Sequence, residues 1–444
     1  MEGKLACRGH KLSHLGVGDG PDPSPLLAAF KAVRDLSTQG GDGNQRQWAE
    51  LTTVLVELVD EMGPSEIANV FCYCRRGQFV HPVLLSRLAA SITPEVNIRR
   101  LKCHHLSMLM HSLGVLFRDK LLLRTEGPLP KGQEVFPGQE ALAWSLLRES
   151  IKPDRLCRFD EQGLSNVVYG IALLGLHRNT SLQPEVEFAN DSLSREVCRD
   201  QRMNKFNCQD LSNIVYAWGL MGYADLTGLE VLGLEISRPQ RLQSFSEQQI
   251  ANIIWGCASL ESVVHPNPKS SRSIVFPAFF EEIAKSQRLK RFNEQGLSMV
   301  MWSFARLMSS HEIPPSVCDC VVKELTRADR LKKCREQGIA NTVWAMGKLG
   351  LLNGGAVEAL LLEATQAARM PKYKPQELAN LVLGVAHLCD VVDYQQLFQS
   401  KKNSKLVADL AIEVNRPERL SAFNNQEVGY LCWAFKRLQR VISS

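Results

Sequence analysis

Apolar positions along this chain recur at helical intervals, always in the same setting. Between Arg241 and Leu260 they are Ile250, Ile253, Ile254, Cys257 and Leu260, offset by 3, 4, 7 and 10 residues from the first and so forming one stripe of an α-helix. Ser246 precedes the stripe as an N-cap, its hydroxyl placed to accept from the free N–H groups of the first turn. Gln249, three residues on, stands where a capping-box partner belongs, and Phe245 is placed to staple onto Ile250. Small residues Ala251, Gly256 and Ala258 leave room for a neighbouring helix.

The same string occurs seven times. An Arg is followed by an apolar residue, an aromatic at +4 (Cys334 in one copy), Gln at +7, a branched aliphatic at +9, a small residue at +10 and usually Asn at +11. The arginines are Arg155, Arg202, Arg241, Arg288, Arg330, Arg369 and Arg419; the glutamines are Gln162, Gln209, Gln248, Gln295, Gln337, Gln376 and Gln426, spaced 47, 39, 47, 42, 39 and 50 residues apart. Expected N-caps are Asp160, Asn207, Ser246, Asn293 and Asn424, with Arg335 and Lys374 departing from the rule. One amphipathic helix cannot bury its stripe alone, so a second helix is expected after each, over Gly228–Arg238, Phe276–Gln287, Ser316–Ala328 and Ala356–Ala368. Weaker copies at Ser65–Asn69 and His104–Met108 extend the register towards the N-terminus. A period near 40 residues predicts an all-α fold, a right-handed superhelical α-solenoid of about nine helix-turn-helix repeats. The expected organisation is a flexible segment with a short helix over 1–45, divergent repeats over 46–150, and seven clear hairpins over 151–444 with a loop insertion near 263–275. Gly/Pro-rich interruptions at Pro21–Pro25, Gln39–Gly43, Gly127–Gly138 and His265–Ser273 read as loops.

Composition changes this little. The 45% hydrophobic and 22% charged content is that of a folded chain, and the net charge of +5 permits a polyanionic partner only if the basic residues cluster. No apolar run is long enough for a membrane span. The 13 cysteines, scattered over repeated helices without zinc spacing, read as reduced buried hydrophobes. Cys103, His104, His105 and His111 look like one face of a helix with Leu106, Leu109 and Leu113 rather than a metal site. No Walker loop, HExxH or GxSxG is present, and Gly16–Gly20 lacks the flanking strand and Lys of a phosphate loop. No catalytic, cofactor or metal-ligating set is therefore assigned, and the chain reads as a binder and not an enzyme.

The stretches Pro371–Asn380 and Gln337–Gly350 resemble the octotricopeptide repeat family, α-solenoids of helical hairpins, and the resemblance covers about residues 60–440. More distantly the repeats are similar to those of mitochondrial FAST-kinase-like proteins, which usually end in a RAP domain for which nothing after Leu438 leaves room. The resemblance implies single-stranded RNA as partner, an organellar mRNA or rRNA in a mitochondrion or chloroplast. It also implies a role in transcript stabilisation, processing or translation, exerted by a monomer covering a strand, with ribosomal or nuclease proteins as further partners. The N-terminal targeting signal is weak, since Glu2, Asp19 and Asp22 accompany Lys4, Arg8 and Lys11. Rival roles are a structural component holding rRNA in an organellar ribosome and a protein–protein scaffold.

The residues expected to meet RNA are the seven arginines, Asn166, Asn213, Asn252, Asn341 and Asn380, together with Arg306, Lys348 and Arg437. The arginines form a ladder suited to phosphate, with Arg158, Lys205, Lys290, Arg291, Lys332, Lys333, Lys372 and Lys374 nearby. The alternative is structural: each Arg bonds free carbonyls at a helix end, or pairs with Glu161, Glu247, Glu294 or Glu336. A repeated Asn cannot discriminate bases and is expected in a hydrogen-bonded ladder between hairpins. Discrimination is expected at the variable positions after Gln (Gly163, Asp210, Gln249, Gly296, Gly338, Glu377, Glu427) and eleven after it (Ser259, Arg306, Lys348, His387, Arg437). The aromatics seven after Gln (Tyr169, Tyr216, Trp255, Trp302, Trp344, Trp433) suit base stacking but are expected in the core.

Overall fold

A computed structural model describes residues 24–39, 45–123, 136–223, 225–264, 275–309, 311–351, 353–390 and 401–442. Most of the expected N-terminal flexible segment and nearly all of the loop insertion near 263–275 lie outside them. The described residues are helical throughout, with no strand among them. Contacts group the chain into two units, Met1–Ala217 and Trp218–Ser444, divided within one helix.

The first unit contains α1 (Pro25–Gln39), α2 (Gln45–Leu58), α3 (Pro64–Arg76), α4 (Pro82–Ile92), α5 (Glu95–Arg100), α6 (Cys103–Leu123), α7 (Gln139–Ser150), α8 (Glu161–Leu174) and α9 (Gln183–Val197). Helix α10 (Cys208–Met221) carries the division. The second unit continues with α11 (Leu226–Ile236), α12 (Glu247–Val264), α13 (Val275–Ala284), α14 (Glu294–Leu307), α15 (Pro315–Leu325), α16 (Glu336–Leu349), α17 (Gly354–Ala364), α18 (Pro375–Leu388), α19 (Lys401–Val414) and α20 (Asn425–Ile442). Helices α8, α10, α12, α14, α16, α18 and α20 each begin one residue before a motif Gln.

The expected caps start these helices. Asp160 and Asn293 accept the Gly163 and Gly296 N–H groups at 2.7 Å. Asn207 with Asp210, Ser246 with Gln249, and Asn424 with Glu427 close reciprocal boxes in which side chain and backbone bond each other. Arg335 gives no side-chain cap. Phe159, Phe206, Phe245, Phe292, Tyr373 and Phe423 are buried just before the cap, as is Cys334 in their place. Second helices fall where expected, ending four or five residues before the next motif Arg.

Two layers result within each unit. Gln helices pack on Gln helices: α3 on α6 and α6 on α8 in the first unit, and α12, α14, α16, α18 and α20 in succession in the second. Second helices pack on second helices, α11 on α13, α13 on α15 and α17 on α19. Small residues bring the Gln helices close. A Cβ on Gly384 would stand 2.6 Å from the Trp344 backbone, so only glycine permits this approach.

Candidate nucleic-acid interface

The seven motif arginines occupy the turns that join one hairpin to the next. Arg288 shows the arrangement. Its Nε donates to Glu282 at 2.6 Å, one terminal nitrogen donates to the Phe245 carbonyl at 2.7 Å and reaches Glu247 at 3.2 Å, and the other donates to the Gln243 carbonyl at 2.9 Å. Glu282 lies on the helix preceding Arg288, whereas Phe245, Gln243 and Glu247 belong to the previous repeat. Arg202 and Arg369 repeat the whole set, and Arg155, Arg330 and Arg419 repeat the Glu and carbonyl bonds. Arg241 pairs with Glu235 at 2.7 Å. In Arg288 and Arg369 four of the five guanidinium N–H donors are therefore used within the protein.

These arginine side chains are only 4–20% exposed, and the glutamates under them 3–13%. The structural alternative to a phosphate ladder is thus what the fold displays at Arg155, Arg202, Arg241, Arg288, Arg330, Arg369 and Arg419. The six guanidiniums other than that of Arg241 join their own helix end to a bend of the preceding repeat, since a buried charge is retained only when its partners satisfy it. Glu161, Glu247, Glu294 and Glu336 do pair with a motif Arg, but with that of the following repeat rather than the nearby one in their own string, at 3.2–3.8 Å.

One element of this network went unread in the sequence. A glutamate stands six residues before every motif Arg: Glu149, Glu196, Glu235, Glu282, Glu324, Glu363 and Glu413. Its recurrence in phase with the Arg was the available signal. Its second oxygen or its neighbour is bonded by a more exposed side chain three residues before the Arg, among them Lys152, Arg199, Lys285 and Arg416.

A different face is open. Positions 0, 4, 7 and 11 counted from Gln fall within about 60° of one another on a helix. The motif glutamines are exposed in all seven copies, and Asn166, Asn213, Asn252, Asn341 and Asn380 are half-buried. The expected inter-hairpin asparagine ladder is not formed among the described residues. Asn213 accepts from Gln209 of its own helix at 2.7 Å, while the side chains of Asn166, Asn252, Asn341 and Asn380 make no hydrogen bond there. All four lie half-exposed on this face.

The aromatic position is not core either. Tyr169, Tyr216, Trp255, Trp302 and Trp344 are half-buried, and Trp433 is exposed. Their rings meet across adjacent Gln helices: His111 with Tyr169 at 5.8 Å and Tyr169 with Tyr216 at 6.1 Å in the first unit, Trp255 stacked on Trp302 at 6.2 Å in the second. His111 stands at this position in α6, where burial first, then Arg75 and Arg118, lowers its pKa to about 4, so it presents a neutral ring. Leu383 in α18 breaks the series, and His387, one turn on, meets Trp433 at 5.0 Å.

Cations flank the rings. Arg306 lies 5.6 Å from the Trp302 centroid and Arg437 6.0 Å from that of Trp433, where Arg437 also pairs with Asp390. Lys348 is exposed on the same face, and Ser259 is half-buried. By contrast the variable position after Gln is not available for base reading. Asp210, Gln249, Glu377 and Glu427 turn back to the N-cap N–H, and Gly163 and Gly296 are buried. Among the described residues no group of three or more His, Cys, Asp or Glu converges as metal ligands, and no helix is long and apolar enough to cross a membrane. No protein-family model matches the chain, and no curated protein sequence matches it.

Proposed function

We propose that this chain binds single-stranded RNA along the open face of its Gln helices. The observation that supports this best is the half-exposed aromatic stripe, with Trp255 stacked on Trp302 and Arg306 over the latter, bordered by Asn166, Asn252, Asn341 and Asn380, whose side chains bond nothing among the described residues. Aromatic faces take bases of any identity, unpaired amides can bond base edges, and a cation beside the ring strengthens both. Phosphates are met by the exposed lysines and arginines of the turns, such as Arg158, Lys205, Lys332, Lys333 and Lys372, not by the motif arginines. Discrimination between bases falls to the varied position eleven after Gln.

The finer architecture belongs to the same proposal: about nine hairpins wound as a right-handed superhelix, acting as a monomer in a mitochondrion or chloroplast. The role is non-enzymatic. A covered strand is shielded from nucleases and held open for processing or translation.

The test is a titration of the purified chain against a randomised single-stranded RNA pool at two salt concentrations, with DNA and duplex controls. Enrichment of a motif of roughly one nucleotide per repeat is expected. Trp255→Ala together with Trp302→Ala weakens binding by about 1–3 kcal/mol per stacked base. Binding no stronger than that of an unrelated basic protein would overturn the reading in favour of a protein–protein scaffold.

A further inference from the structure

The turn that precedes α8 differs from the later ones in its charge. At four later turns the motif Arg meets, besides the Glu six residues earlier, a second acid from the preceding repeat: Glu161, Glu247, Glu294 or Glu336. In the register of α6 that second acid is replaced by Cys103, whose thiol donates to the Arg155 carbonyl. The cap residue just before it, Asp, Asn or Ser in the other well-capped copies, is Lys102. Two substitutions thus remove an acid and add a base at one junction.

The result is a cleft of about 450 Å³ in the first unit, lined among others by Arg100, Lys102, His104, Arg158 and Asp160, with Arg155 at its side. Arg155 is held by Glu149 and the Leu101 carbonyl. Asp160 is held as the cap of α8, accepting the Gly163 N–H at 2.7 Å. Arg100, Lys102 and Arg158 are exposed and make no ion pair among the described residues. Three cations without an ion-pair partner among the described residues thus line one cleft beside a single fixed carboxylate. His104 occupies the motif Gln position of α6, so the cleft opens at the edge of the aromatic-and-amide face.

We propose that this cleft is a phosphomonoester site and that it holds the terminal phosphate of a bound RNA strand. The inference rests on the single-strand reading above. A terminal phosphate carries nearly two negative charges at neutral pH and offers three acceptor oxygens, against one charge on an internal phosphodiester. Three cations in one cleft suit the dianion. Anchoring an end would set where along the strand the helix faces begin to read.

The experiment compares one oligoribonucleotide with a 5′-phosphate, with a 3′-phosphate and with hydroxyl ends, at constant ionic strength. One phosphorylated form is expected to bind about tenfold tighter than the hydroxyl form, the gain of one charge-assisted contact set. In the double variant Arg100→Gln, Lys102→Gln the difference disappears, with affinity for the hydroxyl form unchanged. Both residues are exposed, and thermal unfolding of the variant checks that the fold is kept. Equal binding of all three forms, or a preference that survives in the variant, overturns the site while leaving the RNA reading intact. Inorganic phosphate provides the independent arm. If no oligonucleotide binds but phosphate shifts the His104 ring resonances in the wild type and not in the variant, the phosphate site stands and the RNA reading falls.

Discussion

Replacing Arg288 by Met separates the structural role of the motif arginines from a nucleic-acid role. Methionine keeps the stem length and apolar contacts but removes the guanidinium. Glu282, itself 6% exposed, would keep only Lys285 at 2.6 Å, and the Phe245 and Gln243 carbonyls would each lose a donor. Removing one partner of a buried pair costs about 3–5 kcal/mol, most of it the uncompensated charge left behind. The retained Lys285 contact places Arg288→Met towards the lower end, about 3 kcal/mol. In urea that lowers the midpoint for the second unit by about 1 M or more, for a slope of 1–3 kcal/mol per molar. Glu282→Gln alone also destabilises, and the double variant loses less than the sum, because neither charge is left stranded. Arg288→Lys recovers only part, since an ammonium cannot reproduce the fork that meets a carboxylate and two carbonyls together. The measurement is urea unfolding followed by circular dichroism, with RNA affinity as a function of salt on the same samples. A phosphate contact would instead lower the salt slope by about 0.7 per residue removed. Stability changed by less than about 0.5 kcal/mol, with the slope reduced by that amount, would refute the structural assignment.

Further expectations concern packing, titration and thiols. Gly384→Ala should lower the melting temperature of the second unit by several degrees, because its Cβ would fall 2.6 Å from the Trp344 backbone; an unchanged melting temperature would contradict the close helix approach. Burial raises the Asp210 carboxyl from 3.8 to about 6, with the nearby Asp160 and Glu161 adding to this and the Asn207 N–H opposing it. The folded state therefore binds more protons than the unfolded one between these two pH values, so this group lowers stability as pH rises through about 4 to 6. Asp210→Asn should flatten that part of a denaturation-versus-pH curve, and an unaltered curve would count against it. Brief iodoacetamide treatment followed by peptide mass spectrometry should alkylate the exposed Cys157, Cys320 and Cys432. It should spare Cys74, Cys318, Cys334 and Cys389, which are buried and whose thiols burial pushes up to about 12. Labelling of the second group in the native chain would show that the packing of these helices is wrong.

The helices and their starting points were legible residue by residue, because a cap, an aromatic and an aliphatic stripe act within a single turn or helix. Asp160, Asn207, Ser246, Asn293 and Asn424 cap where their spacing says they should, and each apolar stripe faces the neighbouring helices. The Gln, Asn, aromatic and varied positions were also bound to share a face, since 0, 4, 7 and 11 coincide on a helix. Whether a neighbour covers that face is not a property of the helix. Only the packed array leaves Trp255, Trp302 and the asparagines half in solvent, which is why a stripe that reads as core along the chain is open in the fold. The arginines show the converse. Arg288 reads as an exposed cation at a helix end, yet its acceptors at Phe245 and Gln243 lie 43 and 45 residues away along the chain. Backbone carbonyls carry no side-chain signature, so tertiary structure alone decides that this charge is spent holding one repeat to the next.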